Sequence, residues 1–504
     1  MQCSRLVTQT TQPTPPRLTW DARLWGALLV VCGVIFLDGL DVSMVGMSLP
    51  SIGADLGVSL SSLQWVVTGY VLGYGGLLLL GGRTADLLGR RRVFLVALAV
   101  FAAVSMLSSL ATNPELLIAA RFVKGVAAAF TAPAALSIIT TTFHEGPARN
   151  RALSIFTTCA ASGFSMGLIL GGLLTEVGWR WTFLMPGPVA LIVLLFAVKL
   201  IPSSPRDDTA GGYDIPGAIT VTAGMLSLVY AVVGADGAGW ASVQTIGLFV
   251  LAAALLTTFI VVERRSKHPL VRLGILRNAS LRRANLAILT VFGAYVAFQL
   301  IGTLYLQNLL GWSSFETALG FLPAGLLVAT LSPNAGKLAD RIGTERMIIT
   351  GMALFVVGYA LSLRIGPESA YFATVFPTIL LIGLGFAIAF PALNIQATSG
   401  VPDHEQGLAS GLFNTSNQVG GAIVLAVVTA VISSQSKGVT TPAGMLSAYK
   451  PALGVVTGIA ALGLVIGLTG LRGLKARRAA EATEAAELEA VQRELAEEEM
   501  TPAA

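Results

Sequence analysis

Four charged side chains lie inside long apolar segments of this 504-residue sequence, and they are the residues best suited to do chemistry there. Asp38 and Asp41 are three residues apart in one segment, and Arg121 and Lys124 are three apart in another. Residues at that spacing share one face of an α-helix. A charge at the centre of a bilayer costs about 2.5 to 3.5 kcal/mol on insertion scales, so such groups are usually paired and functional. An acid that faces a base in this setting can bind and release a proton.

The depths of Asp41 and Arg121 in the bilayer are predicted to match. Asp41 lies nine residues before Pro50, or roughly 13 Å, and Arg121 lies six residues after Glu115, or roughly 9 Å, at about 1.5 Å of rise per residue. Burial favours the neutral form of a carboxyl group, whereas a nearby guanidinium favours the ionised form. Movement of Arg121 would therefore switch Asp41 between proton binding and proton release. The alternative is a buried ion pair that only fixes helix packing.

Asp38 and Lys124 lie deeper than this pair, and we expect a second contact between them. Proton relays through histidine are not expected. The three histidines, His144, His268 and His404, fall in predicted loops, and the C-terminal half has no convincing mid-membrane acid. We therefore assign proton coupling to the N-terminal half of the chain.

The composition predicts the elements that position these residues. The apolar fraction is 54% and the charged fraction 12%, against roughly 45–50% and about 25% in soluble domains, which excludes an ordinary soluble protein. Apolar segments near the roughly 20 residues that cross a bilayer predict an all-α polytopic membrane protein. Fourteen helices are predicted to start near Trp25, Leu63, Val93, Glu115, Ala152, Trp181, Ile215, Ser242, Asn285, Glu316, Met347, Tyr371, Gly407 and Ala452. Gly and polar residues interrupt the segment from Ile215, so counts of thirteen and twelve stay open.

The predicted helices divide into two six-helix bundles with an additional helix pair between them. We interpret the charged C-terminal tail, residues 472–504, as a solvated helix or partly disordered end, with a partner-binding coiled coil as the alternative. The predicted parts are an N-terminal segment (1–23), the first bundle (24–201), a linker with helices seven and eight (202–262), a basic loop (263–284), the second bundle (285–471) and the tail (472–504).

The basic residues concentrate on one side of this topology. Loops on cytoplasmic sides carry the excess of Lys and Arg, so both termini are predicted to be cytoplasmic in a multi-pass cell-membrane protein. The loops of the opposite side hold only Arg180, Arg364, Lys437 and Lys450. The net charge of +5 does not suggest nucleic acid as a partner. The basic set is Arg83, Arg90, Arg91, Arg92, Arg149, Arg151, Arg264, Arg265, Lys267, Arg272, Arg277, Arg282, Arg283, Lys337, Arg341 and Arg346.

A repeated motif forms the predicted loops after the second and tenth helices, with the sequences GGRTADLLGRRR and AGKLADRIGTER. Both fit G-x-x-x-D-x-x-G followed by basic residues, and their corresponding positions in two six-helix halves indicate the internal repeat of a transporter. We expect the glycines to permit close helix approach and tight turns, and the Asp to accept hydrogen bonds from backbone N–H groups. The two motifs together are expected to form a cytoplasmic latch between the halves. The latch residues are Gly82, Asp86, Gly89, Arg90, Arg91 and Arg92, then Gly336, Asp340 and Gly343.

Two further residue sets are predicted to serve packing and substrate binding. Gly163, Gly167 and Gly171 recur every four residues and, with Gly172, predict a ridge for close helix packing. The candidate substrate-cavity residues are Tyr70, Tyr74, Gln299, Tyr305, Gln307, Asn394, Asn414 and Gln418. Interhelical hydrogen bonding and interface anchoring are the alternative roles for these polar groups.

These motifs strongly resemble the major facilitator superfamily, specifically its fourteen-span drug:proton antiporter family. LDVSMVGMSLP, RFVKG, GFSMGLILGG and GWRWTF are similar to motifs of helices one, four and five and of the segment after helix five. The resemblance implies export of a small hydrophobic or amphipathic compound, such as an antibiotic, driven by protons. It implies a transporter rather than an enzyme, one that works as a monomer in the lipid bilayer without cofactor or metal.

Three positions depart from the family pattern. The family commonly has Gln where this chain has Lys124, and Asn where it has Pro186. The antiporter motif usually has Gly-Pro where this chain has Gly167-Leu168, which removes a helix-bending residue. An uptake symporter or facilitator for a nutrient or ion therefore stays open as the alternative function.

Overall fold

The computed structural model describes residues 21–143, 147–202, 214–266, 269–367, 369–401, 405–436, 441 and 444–470, and within these ranges the regular structure is helical, without strands. The N-terminal segment, most of the linker after residue 202, the three histidines and the tail lie outside the described residues. The predicted roles of these parts remain predictions.

Six helices form each half, and two helices lie between the halves in sequence. The first half contains α1 (Ala22–Leu56), α2 (Leu60–Leu88), α3 (Arg90–Ser108), α4 (Pro114–Thr142), α5 (Pro147–Val177) and α6 (Arg180–Leu200). The central pair is α7 (Ile215–Ala238) and α8 (Val243–Arg265). The second half contains α9 (Ala279–Leu304), α10 (Ser314–Leu331), α11 (Thr344–Ser362), α12 (Phe376–Thr398), α13 (Gln406–Gln435) and α14 (Gly444–Gly470).

The all-helical membrane architecture predicted from composition is confirmed. Thirteen helical segments of the described chain are long and apolar enough to cross a membrane, and α2 is not one of these thirteen although it has 29 residues. The predicted count of fourteen is thus close to the observed number without being confirmed.

Several helices begin a few residues before their predicted starts, and a capping residue explains this at α9. The sequence prediction placed the ninth start near Asn285, yet α9 begins at Ala279 because the side chain of Asn278 accepts hydrogen bonds from the N–H groups of Ser280 and Leu281. Such a cap satisfies donors that an α-helix leaves unpaired in its first turn. Counting apolar residues misses these polar first turns.

The repeated motif lies mostly in helices rather than in loops, which corrects the sequence prediction. Residues 82–88 form the last turns of α2, and residues 336–342 belong to the short helix Ala335–Ile342. The chain turns only at Gly89 and Gly343, where φ is 94° and 86°, and the next helix follows at once. Glycine adopts this left-handed region without the steric cost of a Cβ atom.

The close helix approach expected of the motif glycines does not occur at the first glycine of either motif. A Cβ atom at Gly336 would meet nothing within 4 Å, and one at Gly82 would only touch the side chain of Pro133 at 3.6 Å. The close contact of α2 with α4 occurs one residue earlier, at Gly81, where a Cβ would overlap the backbone of Ala129. Asp340 is exposed, and the side chain of Asp86 is not described.

Candidate functional site

Asp41 on α1 lies between two cations of α4. Arg121 donates a hydrogen bond from Nη1 to Asp41 Oδ2 over 2.5 Å, and Lys124 donates from Nζ to the other carboxylate oxygen. The three side chains are at most 1% exposed. Each oxygen of the acid thus has its own cationic donor. Charge-assisted hydrogen bonds of this kind offset part of the cost of burying the charges.

Neighbouring groups hold both cations in place. Arg121 also donates from Nε to the carbonyl of Val66 over 3.0 Å, and its guanidinium lies 4.5 Å from the ring centroid of Tyr70. The ammonium group of Lys124 lies 4.8 Å from the ring centroid of Phe101. Aromatic faces attract cations that have lost their water. The site therefore holds two positive charges inside the first half through one carboxylate, a backbone carbonyl and neighbouring aromatic rings.

Asp38 has a different partner from the one predicted. Its carboxylate is half-buried and accepts a hydrogen bond from the hydroxyl of Tyr70, whose ring packs edge-on against Tyr74 at 5.9 Å. The predicted contact of Asp38 with Lys124 does not form, since the lysine bonds Asp41 instead. Asp41 offers an oxygen that Arg121 leaves unpaired, so the flexible lysine stem extends to it.

The predicted glycine ridge of α5 positions α1 and therefore Asp41. A Cβ atom at the middle glycine would lie 2.8 Å from the Cα of Leu40, which no side chain could accommodate. The contacts recur every four residues on both helices, so their backbones touch along this line. Asp41 lies one residue beyond Leu40 and is left to face α4. The contacts pair Gly163 with Phe36, Gly167 with Leu40 and Gly171 with Met44.

Gly172, the fourth glycine of the motif, joins the two halves instead of packing on α1. A Cβ atom there would lie 2.6 Å from the Cβ of Ala318 on α10. One turn later, the carboxylate of Glu176 accepts a hydrogen bond from the N–H of Phe315 over 3.1 Å. The carboxylate thus binds the N-terminal end of α10, where unpaired N–H groups favour an anion. The halves are in contact at the end of the molecule where α1 ends and α10 begins.

The predicted substrate-cavity residues are not gathered at one place. Tyr305 donates its hydroxyl to the carbonyl of Gly366 over 2.8 Å, so this group is engaged in the connection between α11 and α12. Gln307 donates to the carbonyl of Met47 over 3.4 Å and adds to the contact between the halves.

Three of the remaining candidates lie on α12 and α13. Asn414 bonds the carbonyl of Ser410 on its own helix, Gln418 lies beside Gly75 of α2, and Asn394 is exposed. Tyr70 and Tyr74 belong to the Asp38 side of the acid–base cluster. Their predicted roles in substrate binding remain untested.

Gln299 is the candidate that faces a cavity. Its side-chain Nε2 is buried and has no hydrogen-bond partner among the described residues. The cavity is small and mostly apolar, and a polar donor left unpaired in such a place is ready to bind a ligand acceptor or a water molecule. It is lined by Leu168, Tyr295, Phe298, Gln299, Phe321, Ala324, Ile379 and Ile382.

Sequence reasoning missed a row of aromatic rings that continues from this cavity. Tyr295 lies 5.9 Å from Phe164 of the first half and 4.8 Å from Phe386, and Phe386 stacks on Phe390 at 4.9 Å, all between ring centroids. The four-residue spacing of Phe386 and Phe390 was the available signal. Aromatic residues in an apolar helix have the same pattern whether they face lipid or the protein interior, so the signal was ambiguous. In the described chain, no group of three His, Cys, Asp or Glu side chains is placed to hold a metal.

Comparison with known proteins decides the family. The model of the Major Facilitator Superfamily matches residues 31–425. The chain belongs to this superfamily. It is therefore a multi-pass membrane transporter that carries a small molecule, and not an enzyme, as the motifs predicted.

Curated relatives match most of the chain. The puromycin resistance protein pur8 of Streptomyces alboniger is 36% identical over 464 residues, which cover 88% of this chain and 91% of the relative. The cephamycin export protein CmcT of Amycolatopsis lactamdurans is 37% identical over 447 residues, with the same coverages. The lincomycin resistance protein of Streptomyces lincolnensis is 34% identical and covers 81% of this chain and 84% of the relative.

Solved structures share the fold at low sequence identity. The POT family transporter PepTSo has a TM-score of 0.67 at 16% identity and covers 91% of this chain and 99% of that one. The nucleoside transporter NupG has a TM-score of 0.62 at 12% identity, with coverages of 88% and 99%. These likenesses establish the transporter fold.

Proposed function

We propose that this chain exports a small hydrophobic or amphipathic compound, such as an antibiotic, across the cell membrane in exchange for protons, and that it works as a monomer. The observation that carries the proposal is the buried cluster of Asp41, Arg121 and Lys124 in the interior of a superfamily half. An acid with two cationic partners inside a bilayer is suited to bind and release a proton. The names of the relatives, which refer to antibiotic resistance and export, support the direction of transport.

The charge distribution supports an orientation with both termini in the cytoplasm. Basic residues cluster at the ends where α2 meets α3 and α10 meets α11, whereas short connections at the other ends carry few. In this orientation the contacts of Gly172, Glu176 and Gln307 lie on the outer side of the membrane. The described conformation is then closed on the outer side.

A transport cycle follows from this conformation. With the outer side closed, Asp41 is ionised and bound by both cations, so its proton has left toward the cytoplasm. When the halves open outward, Arg121 withdraws and the buried carboxylate takes a proton from outside. Return of the arginine then displaces that proton on the inner side. Substrate moves outward in the opposite step, which couples the two flows.

Susceptibility profiling of a drug-sensitive host tests the direction and the substrate class. Cells that express the chain are expected to tolerate several antibiotics at concentrations several-fold above those tolerated by empty-vector cells, because export lowers the internal concentration. Cells with the Asp41→Asn variant are expected to match the empty vector. Increased accumulation of the tested compounds by expressing cells would contradict export and support the uptake alternative.

Neutralising the basic end of the first repeated motif is expected to impair transport while leaving membrane insertion largely intact. Arg91 donates from Nη2 to the carbonyl of Val198 over 2.5 Å and so ties α3 to the end of α6. Replacing Arg90, Arg91 and Arg92 together with Gln is expected to lower the transport rate about tenfold, equivalent to roughly 1.4 kcal/mol. Transport rate, membrane yield and topology of the variant are measured in parallel.

The control for this experiment is Arg277→Gln, which removes an exposed basic residue from another connection. Its transport rate is expected to equal that of the wild type. An inverted or non-inserted triple variant would show that the three arginines act only as a topology signal, and the latch proposal would then fail.

Asp86→Asn is expected to impair transport as the triple arginine replacement does, again with membrane insertion largely intact.

A further inference from the structure

Two buried carboxyl groups lie together on the central helix pair, away from the Asp41 cluster. Asp214 directly precedes α7 and is 6% exposed, while Glu263 lies in the last turn of α8 and is 4% exposed. The two helices pack closely, since a Cβ at Gly224 would lie 2.9 Å from the side chain of Leu256. Their antiparallel course brings the start of α7 to the end of α8. Because Gly224 faces Leu256 in this hairpin, its register places Asp214 opposite the last turn of α8, which contains Glu263.

Each carboxyl group uses one oxygen and leaves the other unpaired. Asp214 Oδ1 caps α7 by accepting from the N–H of Gly217 over 2.8 Å, and Glu263 Oε2 accepts from the N–H of Val271 over 3.2 Å. The second oxygens, Oδ2 and Oε1, are buried and form no hydrogen bond with any residue that the structure describes. A helix cap alone would not account for a second buried, unsatisfied carboxylate nearby.

The cations that the structure describes around this pair do not neutralise it. Arg264 and Arg265 at the end of α8 are exposed, and Arg272 of the following connection pairs with Glu405 at 3.4 Å. On α2, which packs against α7, Arg83 has other interactions. No ion pair to either carboxylate occurs within the described ranges. Two ionised carboxylates would therefore repel each other in a desolvated site.

We propose that Asp214 and Glu263 form a second proton-binding site, in which one proton is shared as a carboxylic acid–carboxylate pair. The shared proton lets one carboxyl group donate a hydrogen bond to the free oxygen of the other. It thereby satisfies both buried oxygens and removes one negative charge. Buried carboxyl groups that share a site generally cannot both ionise.

The site is placed to connect the central pair with the second half. Val271, whose N–H binds Glu263, packs in one apolar cluster with Val221 of α7 and Phe259 of α8. Leu408 and Leu412 of α13 pack against the same cluster. Loss of the shared proton is expected to loosen this junction, because two repelling charges would then occupy it. The site thus makes the packing of the central pair on α13 sensitive to proton concentration, independently of the proposed transport cycle.

Infrared spectroscopy of the purified full-length transporter in lipid nanodiscs tests the shared proton directly. The wild type is expected to show a protonated carboxyl band at neutral pH that disappears as the pH is raised. In Glu263→Gln and in Asp214→Asn, the intensity of this band at neutral pH is expected to fall by the equivalent of one carboxylic acid per chain. Glu115→Gln, which removes an exposed carboxylate from the first turn of α4, is the matched control and is expected to keep the band. An unchanged band in both site variants would overturn the proposal.

The pH dependence of thermal stability supplies an independent readout. The wild type is expected to lose stability as the pH rises and the shared proton leaves, because both carboxylates are then charged in a buried site. In Glu263→Gln the amide donates to Asp214 in place of the proton, so this loss is expected to shrink. A slope equal to that of the wild type in this variant would contradict the proposal. A wild-type protein that is more stable in sodium chloride than in choline chloride, with no such difference in either variant, would indicate a metal-cation site. This result would also overturn the proposal of a shared proton.

Discussion

Replacing Gly167 with Leu is expected to abolish transport and to lower thermal stability. A Cβ atom at this position would overlap the hydroxyl of Ser43 and would lie 2.8 Å from the Cα of Leu40. Backbone atoms cannot rotate away as a side-chain end can, so α1 must shift. Overpacking of this kind costs about 1–3 kcal/mol, and occasionally more. Because Asp41 is the next residue after Leu40, the shift also displaces the acid from its two cations.

A matched substitution on another helix separates this effect from a general cost of leucine. Gly458 on α14 is exposed, and a Cβ there would meet nothing within 4 Å, so Gly458→Leu is expected to leave transport and melting temperature unchanged. Gly167→Ala should give an intermediate loss, since it adds only the first carbon. Transport in vesicles and thermal unfolding are measured for all three variants. Full activity and unchanged stability of Gly167→Leu would refute close packing of α5 on α1.

Replacing Asp41 with Asn is expected to eliminate proton-driven export. Asparagine cannot exchange a proton, and it leaves Arg121 and Lys124 buried without their anion. Breaking a buried ion pair by removal of one partner typically costs about 3–5 kcal/mol. The substitution therefore affects folding as well as coupling, and the two effects must be measured separately.

Two companion variants make that separation. Asp41→Asn combined with Lys124→Gln removes one of the unpaired cations and is expected to recover stability without recovering proton coupling. Asp38→Asn keeps the ion pairs of Asp41 and changes only the acceptor of the Tyr70 hydroxyl, so it is expected to retain export at a reduced rate. Recovery of coupling in the double variant would contradict the role of Asp41.

The pairing of Asp41 with Arg121 could be predicted from the sequence because helix rise determines the depth of each residue. The partner of Lys124 could not, since a flexible lysine side chain reaches more than one acid at similar depth. The same geometry explains the glycine motif. Residues four apart share a helix face, whereas Gly172 lies about 100° around the helix from Gly171 and meets α10 instead.

The repeated motif shows a second limit of sequence reasoning. Glycine and charged residues suggested loops, yet hydrogen bonding within the helix continues to Leu88 and Ile342, and only Gly89 and Gly343 turn the chain. The Asp214 and Glu263 pair was not predicted either. These residues are 49 positions apart on either side of a helix hairpin, and only the packing of α7 on α8 brings them together.

Substrate accumulation in everted membrane vesicles under an imposed proton gradient tests the role of Asp41 most directly. Wild-type vesicles are expected to accumulate an exported compound when the interior is acidic and to stop when the gradient is collapsed. Vesicles with Asp41→Asn, matched for folded protein, are expected to accumulate none above the empty-vector level. Accumulation at the wild-type rate by Asp41→Asn vesicles would show that Asp41 does not bind the coupling proton.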